Sequence, residues 1–230
     1  MLEIFARPRQ AVLDVLALTQ ERPQSREEEF ANCLIHAVGA AVALAAGVYL
    51  VATAAQHGST AFTVAAAVYA VTMVGLYLGS TLYHGLPDGP AKSAFLVVDH
   101  SAIFLFIAGC YTPFAFGVLR GPWGLTLLVV IWALALAGVA FKARWGAIGH
   151  VNLSTAVYVA MGWVLLLGAI PIWHLMPAPG VWWLLAGGAA YTVGVAFFRA
   201  ERLRYGHFVW HWFVLAGTIC HYIAVLWYAH

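Results

Sequence analysis

Gly206-His207-Phe208-Val209-Trp210-His211 opens the last hydrophobic run of the chain, which continues to Tyr228. Residues four apart on an α-helix lie about 40° apart round the axis and roughly 6 Å along it, so the two imidazoles face the same way. Continued at helical spacing, the stripe reads His207, His211, Val214, Thr218, His221, Val225. Phe208, Trp212, Phe213, Leu215, Ile219, Ile223 and Leu226 are left for a lipid-facing side. Ionisable side chains inside an apolar span are costly and face the interior of a bundle. Two histidines at this spacing also suit one metal ion.

The rest of the chain agrees with a membrane setting. Of 230 residues, 63% are hydrophobic and 9% charged, with a mean hydropathy of +0.87. A soluble domain carries about a quarter charged residues. Seven apolar runs follow one another, at about 32–55, 60–84, 94–118, 123–141, 151–172, 181–198 and 207–228. Each is near the ~20 residues that cross a bilayer, so the expected fold is an all-α, seven-transmembrane helix bundle. Loop chemistry separates the runs, as in Gly85-Leu86-Pro87-Asp88-Gly89-Pro90 and Pro177-Ala178-Pro179-Gly180. Gly39, Ala43 and Gly47 in the first run, and Gly187 and Gly188 in the sixth, would let helices approach closely. Pro113 is expected to bend the third.

Residues 1–28 form a polar tail ahead of the transmembrane domain, 29–230. Within it, residues 8–19 place Ala11, Val12, Val15, Leu16 and Leu18 opposite Asp14, the pattern of a short helix on the membrane surface. Asp14 also interrupts the stretch in a way a signal peptide would not tolerate. Ser25 is the expected N-cap of the first span, with Glu27, Glu28 and Glu29 in its first turn. Cys33, Cys110 and Cys220 are isolated in apolar runs and read as packing residues. The net charge of +2 and the lack of a basic stripe give no sign of a nucleic-acid partner.

With seven spans, one membrane face receives Arg7, Arg9, Arg22, Arg26, Lys92, Lys142, Arg144, Arg199, Arg202 and Arg204, and the other only Arg120. The positive-inside rule then puts the N-terminus in the cytoplasm and the C-terminus outside. On that topology His84, Asp99, His207, His211, Glu29, Asn32 and His36 all fall within about two helical turns, ~10 Å, of the cytoplasmic face. Asp99 is the single acidic residue inside a run, and a buried carboxylate needs a cation, a proton or a partner. His84, His207 and His211 would provide a zinc site with an open fourth position, the arrangement that activates a water. Asp99 would act as general base, and Ser80, one turn before His84, would lie close by.

Other residues are read as structural. Glu29, Asn32 and His36 share one stripe and are expected to form a polar clamp at the mouth of the bundle. His221 lies ~21 Å beyond His207, too far for the same ion, and would line a cavity or bond a neighbouring helix. His100 points about 100° away from Asp99 and is left out of the site. A haem is disfavoured, because its axial ligands come from opposite sides of the iron, not from one helix face.

Four segments, in order, carry a resemblance: Glu29-Phe-Ala-Asn32-Cys-Leu-Ile-His36, Ser80-Thr-Leu-Tyr-His84, Asp99-His-Ser-Ala-Ile-Phe with the later Tyr111-Thr-Pro113-Phe, and His207-Phe-Val-Trp-His211. Together they resemble the hemolysin III family, part of the wider progestin and adiponectin receptor (PAQR) group and similar to alkaline ceramidases. Ile35 stands where that pattern often has Thr or Ser. The resemblance implies a seven-helix bundle with a cytoplasm-side zinc held at the positions of His84, His207 and His211. It places Asp99 on the zinc water and Ser80 nearby, and it implies hydrolysis of a ceramide-like lipid amide. The short tail is similar to the bacterial branch, which implies the bacterial cytoplasmic (inner) membrane, with membrane lipids as partners. The expected function is thus a zinc-dependent hydrolase of a lipid amide or ester. The alternatives are a channel or pore-forming cytolysin, as the family name implies, and a non-catalytic sensor of membrane lipids.

Overall fold

The computed structural model describes residues 23–147, 150–200 and 202–230. The expected surface helix at residues 8–19 lies outside them. Among the described residues the secondary structure is entirely helical: α1 Arg26–His57, α2 Thr60–Gly85, α3 Pro90–Phe116, α4 Pro122–Trp145, α5 Val151–Trp163, a 3-10 turn Val164–Gly168, α6 Ala169–Leu175, α7 Ala178–Phe198 and α8 Gly206–Tyr228. Six of these (α1 to α4, α7 and α8) are long and apolar enough to cross a membrane. The chain is therefore a multi-pass membrane protein.

The fifth apolar run departs from a single continuous span. It is divided into α5, the 3-10 turn and α6. Gly168 and Pro171 account for the break, since glycine weakens a helix and proline removes an N–H and crowds the preceding turn. The freed backbone groups find a partner in Tyr111 of α3. Its hydroxyl donates to the Met161 carbonyl at 2.6 Å and accepts from the Leu165 N–H at 2.9 Å. A side chain inserted into the ladder is a recognised cause of such interruptions.

The long helices follow membrane rather than aqueous patterning. On α1 the inward positions Asn32, His36, Gly39, Ala43, Gly47, Leu50 and Ala54 are small, polar or both at most sites. Outward lie Leu34, Val38, Val42 and Val48, exposed on the molecule's rim. Lipid is as apolar as leucine, so association depends on close packing and interhelical hydrogen bonds. A Cβ on Gly47 would stand 2.9 Å from that of Ala70, which fixes α1 against α2 as the small-residue stripe implies. All three cysteines are free. Pro113 sits in the last turn of α3, where the Gly117 N–H donates to its carbonyl at 2.8 Å.

The start of α1 is built as the sequence requires and does a second task. Ser25 and Glu28 form a reciprocal capping box, the Ser25 N–H donating to Glu28 Oε2 at 2.9 Å. The other oxygen of Glu28 accepts from the Tyr205 N–H at 2.7 Å. Tyr205 is the left-handed N-cap residue of α8, with φ of 59°. One buried carboxylate thus ties the start of α1 to the start of α8, two residues before His207.

Candidate metal centre

α8 contributes His207 and His211 one turn apart, and α2 contributes His84 from its last turn. Their ring centroids are 4.6 Å (207 to 211), 5.1 Å (84 to 207) and 5.1 Å (84 to 211) apart. One nitrogen from each lies within 4.8 Å of the others, so the three form a cluster able to hold a metal ion. Tyr77, Ser80 and His84 share the inward stripe of α2, and all three are buried.

The tautomers strengthen that reading. His84 Nδ1 lies 2.6 Å from Glu29 Oε2, and an ionised carboxylate only accepts, so Nδ1 carries the proton. Its Nε2 then presents a lone pair, and it is buried with no protein partner. The backbone of Asn32 adjoins the His211 ring. Its Nδ1 is buried and unpartnered, as is Nε2 of His207. Each of the three histidines thus has one buried ring nitrogen without a partner among the described residues, and each would cost about 1–3 kcal/mol if nothing bound it. A cation satisfies all of them, and the donor set fits one. Metal-ligating histidines characteristically donate the other ring N–H to a carboxylate or carbonyl.

The expected clamp on α1 therefore closes on the histidines themselves. Glu29 holds His84, and the backbone of Asn32 adjoins His211. His36 stacks on His211 at 3.6 Å between centroids and 14° between planes, and meets Tyr77 edge-on at 5.1 Å. Lys92 reaches over from the start of α3, its Nζ 3.0 Å from Glu29 Oε1. It also donates to the Leu86 carbonyl at 3.3 Å.

Asp99 and Ser80 line the wall of a large cavity together with His36, His207 and His211. Asp99 is buried beside His84 and Ser80, although the Ser80 hydroxyl makes no hydrogen bond of good geometry. Away from these groups the walls are chiefly apolar, with Ile103, Ile107, Val159 and Val195 among them. His100, set aside on the helical wheel, lines the same cavity and also a smaller polar opening shared with His207, Gln24 and Glu28. The cavity wraps around α3 far enough to reach both residues. A sequence signal for this was present, since His100 is one of few polar residues in its span.

Comparison with known proteins places the chain in a family. The family model described as "Haemolysin-III related" matches residues 24–222. Hemolysin-3 of Bacillus cereus is 42% identical over 202 residues, covering 88% of this chain and 92% of that one. The hemolysin-3 homolog of Bacillus subtilis (strain 168) is 39% identical over 202 residues, covering 88% and 94%. The human monocyte to macrophage differentiation factor is more distant, at 25% identity over 164 residues, or 69% of this chain and 67% of that one. With a family match across most of its length and two relatives of such identity, this chain belongs to the haemolysin-III related family.

Proposed function

We propose that the protein is an integral-membrane zinc hydrolase that cleaves a lipid amide or ester within the bilayer. The observation that carries this reading is three histidines close enough to share one ion, each with an unpartnered ring nitrogen, beside a buried carboxylate on the wall of an apolar cavity. A nitrogen-rich set with a neighbouring carboxylate suits zinc.

When bound, zinc polarises a carbonyl oxygen and brings the pKa of a water towards neutrality. The side chains do the rest. His84, His207 and His211 hold their lone pairs on one point, and Glu29 and the Asn32 backbone keep those rings from turning. The apolar walls hold the acyl chain and keep bulk water away, and the smaller polar pocket beside His207 and His100 is the proposed route for the attacking water. Asp99 takes a proton from the attacking water and passes it to the departing nitrogen or oxygen. Ser80, with no other hydrogen bond, is free to donate to the carbonyl oxygen as it gains charge. Water adds, the C–N or C–O bond breaks, and a fatty acid and an amine or alcohol result.

In this reading residues 151–175 make the remaining crossing, which gives seven spans. Ten Lys and Arg against one then put the N-terminus in the cytoplasm and the C-terminus outside. The Bacillus relatives support a bacterial cytoplasmic membrane. A panel of lipid amides and esters, incubated with purified protein before and after metal removal, tests the proposal. Metal-dependent release of fatty acid is the expected result; no product from any member overturns it. Bilayer conductance that survives His211→Ala would establish the pore reading instead, and saturable lipid binding without product would establish the sensor.

A further inference from the structure

The cavity that begins at the histidine cluster has a polar far end. His221 lies ten residues beyond His211 on α8, so the two are about 15 Å apart along the axis, and His207 is about 21 Å away. His221 nevertheless lines the same cavity, and also a second one that adjoins it. One edge of its ring is pressed on α7: a Cβ on Gly187 would fall 2.2 Å from Cδ2 and 2.6 Å from Nε2. The backbone of Leu184, on the same helix, also adjoins this ring. Tyr191 fixes the ring plane from the side, at 5.4 Å and 75°. The remaining nitrogen, Nδ1, is buried and has no partner. With the Nε2 edge packed on α7 and Nδ1 left without a partner, the neutral ring can present Nδ1 as an acceptor.

The neighbouring polar groups do not supply one. The Thr218 hydroxyl donates to the Val214 carbonyl at 2.9 Å and accepts from Tyr77 at 2.8 Å, with Tyr191 at 3.0 Å. That cluster is closed on itself. The residues between the two ends of the cavity are mainly aliphatic and aromatic, a surface for a hydrocarbon chain.

We propose that His221 Nδ1 is the binding point for a hydroxyl carried far down the chain of the lipid that occupies this cavity. The ligand is an amphiphile with two polar ends, a carbonyl group at the histidine cluster and a hydroxyl some 15–21 Å away, a separation that an extended fatty chain spans. Binding the donor replaces an unsatisfied buried acceptor with a hydrogen bond, whereas a plain methyl terminus leaves that acceptor stranded. The assignment of the carbonyl end rests on the hydrolase reading; the hydroxyl subsite is tested without it.

The test compares palmitate and ω-hydroxypalmitate binding to the purified full chain in lipid nanodiscs, with turnover of the matching amides measured on the same sample. Wild type is expected to bind the hydroxylated acid roughly tenfold more tightly. His221→Leu should abolish that preference while keeping palmitate affinity and metal content. Gly187→Ala, which displaces the His221 ring without removing it, should reduce the preference and guards against a misfolded first variant. Equal affinities in wild type, no binding of either acid, or a preference that survives in both variants would overturn the proposal, the first leaving Nδ1 to an internal water. A preference without turnover would retain the subsite and remove the hydrolase; turnover without a preference would do the reverse.

Discussion

Two polar clusters on α8 differ in a way that explains both. Around Thr218, the Tyr77 and Tyr191 hydroxyls and the Val214 carbonyl use each other up, and the cluster is complete within the protein. Around His207 and His211, His84 Nδ1 has its partner in Glu29, while one nitrogen each of His84, His207 and His211, and both of His36, have none among the described residues. The first cluster is a joint between α2, α7 and α8. The second is a cluster able to hold a metal ion. Burial alone does not separate a joint from a site; hydrogen-bond completeness does.

Changes at the incomplete cluster should have the largest effects. Removing one ligand with His211→Ala is expected to lower zinc affinity by more than about 100-fold, beyond what loss of a supporting contact costs, as read by metal competition. Asp99→Asn should keep the metal and lower turnover by roughly 10²- to 10⁴-fold, the range for loss of a general base, in steady-state kinetics. If metal is lost instead, Asp99 belongs among the ligands. Glu29→Gln can still accept a hydrogen bond but no longer compels the His84 tautomer, so metal affinity should fall by about 10- to 100-fold with the fold intact.

At the complete cluster the readout changes. Thr218→Val strands two tyrosine hydroxyls and should cost about 1–3 kcal/mol in unfolding measurements, while metal content stays at the wild-type level. A loss of metal in Thr218→Val would erase the distinction between the two clusters. The smallest effect is expected at Ser25→Ala, about 1 kcal/mol from the lost cap.

The grouping of His84, His207 and His211 was legible in the sequence because helical geometry is periodic and successive apolar runs alternate in direction. His207 and His211 are related by one turn of one helix, and His84 joins them once the runs are threaded across the membrane. What could not be read depends on register between helices. Glu29 and His84 stand on separate helices, and their 2.6 Å contact follows from how α1 settles on α2 at Gly47 and Ala70. Asn32 adjoins His211 through its backbone, which no side-chain pattern reveals. The helical wheel dismissed His100 by angle, yet a cavity wider than one helix face reaches it. In the fifth run Gly168 and Pro171 announce a break, but the hydroxyl of Tyr111 that makes the break tolerable comes from α3.

The central claim is that three imidazoles, anchored from α1, are arranged to hold one divalent cation. Elemental analysis of purified protein, wild type beside His207→Ala, tests it most directly. The account predicts about one zinc per wild-type chain and a near-complete loss in the variant. Wild type without stoichiometric metal, or a variant with an undiminished content, would contradict it.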